Sequence, residues 1–381
     1  MNSRERVIAA LDHREPDRVP IDLGGTIVSS IHRQAYVDLK QHLGMPVEDL
    51  TLVDFVQQLP YLDEALLEHF DSDFRMVQLP AATAPGLEVF EEGDYYAFID
   101  RWGSKLHMPK RGGFYFDWVD FPIKEPTMEA LDSYVWPRPD APEHNARLAE
   151  EAKQLYDHSD YALVGSAVIG GGIFEQPART MGLEDFLMAL IQEPAFADRM
   201  MDRITDIYIE SCDNYLDQVG QYLQVFTYWD DVCGQDGWLI SPEIYRKVIK
   251  PKQRRLVEAI KRKTNAKLFY HSCGAVYDLV PDLIELGFDI INPVQVAARG
   301  MDTAQLKKAY GKDITFWGGV DTQRVLPFGK PQDVADEVRR RIDDLSPGGG
   351  FVFAPVHNIQ ALVPPENIVA MFVTAQEHGV Y

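Results

Sequence analysis

Cysteine is scarce in this chain: Cys212, Cys233 and Cys273 are the only three in 381 residues, and no two form a close pairing pattern. A disulfide framework is therefore excluded as the source of stability, and reduced thiols are expected. No apolar run approaches the roughly 20 residues that a membrane-spanning helix requires. The opening Met1-Asn2-Ser3-Arg4-Glu5-Arg6 leads into an amphipathic helix and not into a secretory apolar region, so a cytoplasmic location is expected. Basic charge is also in deficit, with 37 Lys and Arg against 59 Asp and Glu, a formal net charge of −22. Such a surface repels nucleic acid and anionic membranes, and neither is expected as a partner. The triplets Gly170-Gly171-Gly172 and Gly348-Gly349-Gly350 match no nucleotide fingerprint and read as turns.

What is present is ample apolar material, 46% hydrophobic and 11% aromatic residues. Short apolar runs alternate with longer helical patterns, the signature of a parallel sheet built from βα units. The runs predict strands at Val19–Leu23, Phe74–Leu79, Tyr161–Ser166, Tyr222–Trp229, Ala266–His271, Phe288–Asn292, Asp313–Trp317 and Gly350–Ala354. Eight strands point to an α/β fold, a single (β/α)8 TIM barrel covering residues 1–381. Helical spacing predicts Leu183–Val219, broken near Glu193-Pro194, then Pro242–Lys263 after the N-cap Ser241, Pro331–Leu345 and Pro365–His378. The aromatic stretch Leu87–Lys124, with turns at Glu92-Gly93-Asp94 and Arg111-Gly112-Gly113, breaks this rhythm. It reads as a small antiparallel insertion between the second and third strands, a lid over one end of the barrel. Pro137–Pro142 reads as a stiff linker back.

The most informative stretch is Tyr270-His271-Ser272-Cys273-Gly274, which ends an apolar run. Side chains alternate in extended chain, so His271 and Cys273 point the same way. Imidazole nitrogen and thiolate sulfur together suit zinc. In a (β/α)8 barrel the catalytic residues gather at the C-terminal ends of the strands, and the polar residues here fall at those ends. The fourth strand runs into Asp230-Asp231 and Gln235, the fifth into His271 and Cys273, the sixth into Asn292 and Gln295. The seventh runs into Gly318-Gly319-Val320-Asp321 and the eighth into Pro355-Val356-His357-Asn358. Asp231 is expected at the mouth, with Asp230 supporting the following helix. Cys212 and Cys233 read as core packing. His271, Cys273 and His357 would give zinc three protein ligands and one open position, the catalytic pattern, with Asp231 the alternative third ligand. Zinc there would hold a bound thiol as thiolate or polarise an ether or alcohol oxygen, and both remain open. Asp231 and His357 are the expected catalytic groups, and Gln235, Asn292, Gln295 and Asp321 the expected substrate-binding groups.

The stretches Tyr228-Trp229-Asp230-Asp231-Val232-Cys233-Gly234-Gln235, Ser241-Pro242-Glu243-Ile244-Tyr245, His271-Ser272-Cys273-Gly274, Asn292-Pro293-Val294-Gln295, Trp317-Gly318-Gly319-Val320-Asp321 and Pro364-Pro365-Glu366-Asn367-Ile368 resemble the uroporphyrinogen decarboxylase superfamily. The resemblance runs from Arg4 to the last helix and implies a (β/α)8 barrel. Within the superfamily the chain looks more like the zinc-dependent corrinoid methyltransferases than the decarboxylase. The decarboxylase's arginine-rich N-terminal motif is absent: the matching place reads Asp17-Arg18-Val19-Pro20-Ile21-Asp22-Leu23-Gly24-Gly25, which lacks a clamp for substrate carboxylates. The methyltransferase pattern of His-x-Cys plus a later Cys is matched by His271 and Cys273, but His357 stands where the later Cys belongs. The decarboxylase also tends to carry a histidine there. A His2Cys site leaves a bound thiolate less electron-rich, which leaves room for the opposite half-reaction, demethylation of a methoxylated or methylamine-like compound. The resemblance thus implies a methyltransferase acting between a small substrate and a corrinoid. That corrinoid would sit on a separate carrier protein docking over the barrel mouth near Tyr95–Trp118. The alternatives are a metal-independent decarboxylase of a tetrapyrrole or other carboxylic acid, and a non-catalytic corrinoid- or tetrapyrrole-binding protein. The oligomeric state is open between monomer and homodimer.

Overall fold

The computed structural model describes residues 1–78, 88–139, 142–167 and 169–381. Seven parallel strands form one curled sheet: β1 (Phe74–Val77), β2 (Ala162–Ser166), β3 (Val225–Trp229), β4 (Lys267–His271), β5 (Ile290–Asn292), β6 (Thr315–Trp317) and β7 (Phe351–Val352). Each pairs with its sequence neighbours, so the spatial order follows the chain. The predicted end of the second strand, Leu79, the start of the insertion at Leu87, and Asp140 and Ala141 of the linker lie outside the described residues.

The predicted first strand, Val19–Leu23, closes the ring without forming a ladder. Ile21 makes a single parallel bridge to Phe353, with the Phe353 amide donating to Pro20 O (2.9 Å) and the Asp22 amide to Phe353 O (2.8 Å). On its other side the Asp73 amide donates to Ile21 O at 2.9 Å. The ladder stops there for two reasons. Pro20 has no N–H to donate, and the Ile21 amide is taken by the Asp73 carboxylate at 2.8 Å.

Strand parity builds the interior. The inward positions of β1 to β7 supply Phe74, Val164, Val225, Phe269, Ile290, Trp317 and Val352, all nearly inaccessible to solvent and packed as one cluster. Trp317 fills the centre, its ring 4.6 Å from Phe74 and 5.2 Å from Phe269 between centroids. The outward positions pack on the surrounding helices in a second, larger core. Those helices include Leu183–Gln192 and Pro194–Val219, separated where Pro194 starts a new helix, then Pro331–Leu345 and Pro365–His378. Pro242–Lys261 continues as helix through a wide turn at Tyr245–Ile249. Among the described residues no helix is long and apolar enough to cross a membrane.

Between β1 and β2 lies a four-stranded antiparallel sheet of Phe90–Glu92, Tyr95–Ile99, Lys105–Pro109 and Asp117–Asp120, paired in that order. It has its own small core of Phe98, Leu106, Met108 and Phe116. It is tied to the loop and helix that follow β2. Trp102 Nε1 donates to Ile169 O (2.7 Å), Ser104 Oγ to Arg179 O (2.6 Å), and the Arg179 guanidinium lies 4.5 Å from the Trp118 ring. The sheet therefore sits on the C-terminal side of the barrel, where the strands end.

Candidate metal centre

β4 ends at His271, whose ring occupies an inward position and is 6% exposed. The chain then turns sharply. The Ser272 amide still pairs with Asn292 O (2.8 Å), but the Cys273 amide leaves the sheet and donates to Asp231 Oδ1 at 2.8 Å. Gly274 has φ +99, and a Cβ there would stand 2.5 Å from Gly234 O, so only glycine lets this turn lie against the hairpin after β3, in which Cys233–Gly234 pairs with Gly237–Trp238. The turn brings Cys273 Sγ to 3.5 Å from His271 Nε2. His357, in the loop after β7, faces the same place, its ring centroid 5.5 Å from that of His271. One ligand atom from each of His271, Cys273 and His357 lies within 4.8 Å of the others.

A tetrahedral zinc with bonds of about 2.0–2.3 Å needs donors about 3.3–3.8 Å apart. The His271–Cys273 separation already meets that spacing, and the His357 donor lies within 4.8 Å of both. The donor types fit as well, two imidazoles and a sulfur. Each imidazole is aimed by an amide. His271 Nδ1 is 2.6 Å from Asn292 Oδ1, while Asn292 Nδ2 donates to Trp317 O (3.1 Å) and so fixes which end of the amide faces the ring. His357 Nδ1 is 2.6 Å from Asn358 Oδ1, and Asn358 is held by Gln57 and Gln360. Both Nδ1 atoms thus carry the proton, and both Nε2 lone pairs are free for a metal.

Electrostatics keep the three donors uncharged near pH 7. Burial, then the nearby carboxylates of Asp231 and Glu175, push the Cys273 thiol well above its usual range. Burial lowers His271, and burial together with the neighbouring His271 brings His357 down to about 4. Burial raises Asp231, against the Cys273 amide and His357.

The other expected site residues divide. Asp231 stands at the centre, 4.0 Å from His271 Nε2. Asp230 is fully buried and accepts from the amides of Phe174 and Glu175, so it anchors the start of the helix Glu175–Met181, which follows β2. Asn292 and Gln295, read as substrate groups, are committed elsewhere: Asn292 to the His271 ring, and Gln295 Oε1 to the Gly274 amide at 2.6 Å. Asp321 Oδ1 is used by the Gln323 and Arg324 amides at 2.7 and 3.0 Å. Gln235 is exposed in the hairpin turn, where its carbonyl accepts from the Arg299 amide. Cys233 is buried in the core, as is Cys212.

Sequence reasoning missed a small cleft beside His271, between β1 and β4. Its wall includes Met76, Val164, Ser166, Thr227, Trp229 and Phe269, drawn from β1 to β4. Their inward parity was the available signal, since Val164 and Phe269 are interior positions and Met76, Ser166, Thr227 and Trp229 share the parity of the interior positions on their own strands.

The family model described as uroporphyrinogen decarboxylase (URO-D) matches residues 103–378. Among curated proteins, the uroporphyrinogen decarboxylase of Syntrophotalea carbinolica is 30% identical over 183 residues, 47% of this chain and 48% of that protein. That of Citrifermentans bemidjiense is 26% identical over 200 residues, 50% of this chain and 52% of that protein. The chain thus spans about half the length of the curated relatives it matches. A solved structure, a methyltransferase from Methanosarcina mazei, superposes with a TM-score of 0.65 over 99% of both chains at 18% identity, which establishes the shared fold. With nearly three quarters of its length matched by the family model, the chain belongs to the uroporphyrinogen decarboxylase (URO-D) family.

Proposed function

We propose that the protein is a zinc-dependent methyltransferase that moves a methyl group between a small substrate and a corrinoid carried by a separate protein. The observation that carries this reading is the convergence of His271, Cys273 and His357, of which His271 also lines a cleft. Three protein donors leave one position for substrate, whereas a structural zinc is closed by four. Zinc bound there would supply a Lewis acid to a substrate oxygen or sulfur. The residues of the chain do the rest. Asn292 and Asn358 hold the two rings in one tautomer, Asp231 fixes the Cys273 turn through its amide and accepts a proton there, and the cleft positions the substrate. The carrier protein is assigned to the barrel mouth beside the antiparallel sheet Tyr95–Trp118.

Decarboxylation is the second reading, favoured by the activity named for the curated relatives. A porphyrinogen with its many carboxylates would need cationic partners. The described wall of the cleft has no Lys or Arg.

The test is the metal content of protein purified without chelators, with methylation of cob(I)alamin followed by its absorption spectrum. The expected result is about one zinc per chain, lost in Cys273→Ser and in His357→Ala, with methyl transfer lost in parallel. A wild-type protein that takes up no zinc on reconstitution overturns the reading and puts decarboxylation first.

A further inference from the structure

The three donors are not held by the same part of the molecule. His271 is aimed by Asn292 on β5, itself bonded to Trp317 O on β6, and the Cys273 amide is held by Asp231 after β3. These partners belong to the barrel strands or to the turns that leave them. His357 differs. Its Nδ1 bonds Asn358 Oδ1, and Asn358 is 1% exposed, so protein groups and not bulk water satisfy its amide. Two arms reach that amide from the antiparallel sheet.

One arm runs through Tyr115, in the loop between the strands Lys105–Pro109 and Asp117–Asp120. The Tyr115 hydroxyl donates to Gln360 Oε1, and Gln360 Nε2 donates to Asn358 Oδ1 (2.7 Å) and Asn358 O (2.9 Å). Tyr115 is packed edge-on against the buried His32 ring, 5.6 Å between centroids. The other arm is Gln57, whose Oε1 accepts from Asn358 Nδ2 at 2.8 Å. Gln57 follows Phe55 and Val56, which pack on the small core of the sheet, and Val56 O accepts from the Phe116 amide at 3.0 Å.

These arms set the sense of the bonds. Asn358 O is a carbonyl and only accepts, so Gln360 must turn Nε2 toward it and Oε1 toward the Tyr115 hydroxyl. The same Nε2 reaches the Asn358 side chain, which therefore presents its oxygen there, while Gln57 takes its NH2 group. That oxygen also faces His357 Nδ1, which must donate, and the His357 Nε2 lone pair is left for a ligand. If the Asn358 amide turned over, its NH2 would donate to Nδ1. The ring proton would then sit on Nε2, and the lone pair offered to a metal would be gone.

We infer that Gln360 and Gln57, held by Tyr115 and by the core of the antiparallel sheet, are positioning residues that set the tautomer of His357. The sheet thereby controls the third donor, while the barrel holds the other two. For its consequence at a metal this rests on the zinc reading above; the tautomer itself needs no metal.

The test reads the two imidazoles separately, by proton–nitrogen correlation spectra of the histidine rings in the whole, metal-free chain, and then zinc affinity by competition with a chelator. In the wild type both rings should carry their proton on Nδ1. Gln360→Met should move part of the His357 population to the Nε2–H form, and the Gln57→Met/Gln360→Met double variant more of it, with His271 unchanged in both. Zinc should bind about fivefold more weakly in Tyr115→Phe, the worth of one neutral hydrogen bond. The double variant should lose about 10–100-fold, the range for partners that orient a ligating ring. In cobalt-substituted double variant the thiolate charge-transfer band should persist while the d–d bands change. Tyr95→Phe, which removes an exposed hydroxyl from the same sheet, should leave every signal as it was. A His357 ring that keeps its proton on Nδ1 in the double variant overturns the inference. So does an equal change at His271, which would mean a general loosening of the centre. A wild type that takes up no zinc overturns the zinc reading instead, and the tautomer result still decides this one.

Discussion

His271 Nδ1 lies 2.6 Å from Asn292 Oδ1, and that bond decides which nitrogen of the ring is available to a metal. The Asn292 amide cannot turn around, because its Nδ2 is bonded to Trp317 O. Removing the amide leaves the ring free to rotate and to change tautomer. Partners of this kind are worth about 10–100-fold in metal affinity. Asn292→Ala should therefore weaken zinc binding by that factor, measured by competition with a chromophoric chelator, while the protein stays folded. Unchanged affinity would show that His271 is aimed by packing alone.

Protonation makes zinc binding pH-dependent, with a predictable sign. His357, at about 4, and His271, below its ordinary value, are already neutral near pH 7. Cys273 lies well above the usual thiol range and still carries its proton. A thiol must lose that proton to ligate. About one proton should leave per zinc bound, so affinity should rise about tenfold per pH unit between about pH 7 and 9. Calorimetry in buffers of different ionisation enthalpy counts the proton. A release near zero would mean that Cys273 is not a ligand.

The identity of the third ligand separates two variants. Asp231 Oδ1 is bonded to the Cys273 amide at 2.8 Å, an interaction an asparagine can also accept. Asp231→Asn should keep its zinc and lower methyl transfer. His357→Ala should lose zinc, with affinity down by more than about 100-fold, a larger loss than for an orienting partner. The reverse pattern would move the ligand role from His357 to Asp231.

The clustering of the candidate donors was legible in the sequence because their chemistry is unusual and their positions are strand ends. His271 and Cys273 needed only strand parity and one barrel rule. The roles of Asn292, Gln295 and Asp321 were not legible. Sequence places an amide or carboxylate at a strand end but does not say which buried N–H it must satisfy. Here those partners are the His271 ring, the Gly274 amide, and the amides of Gln323 and Arg324. The seam at Val19–Leu23 was misread as a ladder strand for a similar reason. Apolar alternation was visible, whereas the Asp73 carboxylate competing for the Ile21 amide comes from 52 residues away. The cleft escaped notice because it exists only where four strands meet.

Away from the centre, Asp282 gives the fold an acid-sensitive tie. Burial would raise its carboxyl, but hydrogen bonds from Arg246 and Lys250 outweigh this and hold it below the ordinary 3.8. Lys250 Nζ lies 2.7 Å from Asp282 Oδ1, and their side chains are 9% and 5% exposed. A group whose folded value is depressed adds stability above its unfolded value, and this is lost as pH falls through the folded value. Asp282→Asn should cost about 2 kcal/mol at pH 7, between the worth of exposed and fully buried pairs. In urea denaturation the gap between wild type and variant should be constant from about pH 5 to 8 and narrow below about pH 4. A gap that does not depend on pH would mean the loss is one of packing.

Gly172 packs directly against Asp230. A Cβ on Gly172 would stand 2.2 Å from Asp230 Cγ, while the glycine's own backbone conformation is one any residue adopts. The demand for glycine is therefore space. Asp230 cannot move aside, because its carboxylate accepts from the amides of Phe174 and Glu175, from Tyr228 Oη (2.8 Å) and from Gln253 Nε2 (3.0 Å). Gly171→Ala is the control, since its added atom would meet its neighbours at 3.2 Å, a contact that small shifts relieve. Gly172→Ala should lower stability by about 1–3 kcal/mol, the usual range for overpacking, and Gly171→Ala by clearly less. Equal urea midpoints for the two variants would show that the loop, not Asp230, yields. The same substitution would then shift the start of the helix Glu175–Met181, which carries Glu175, one of the charges acting on Cys273.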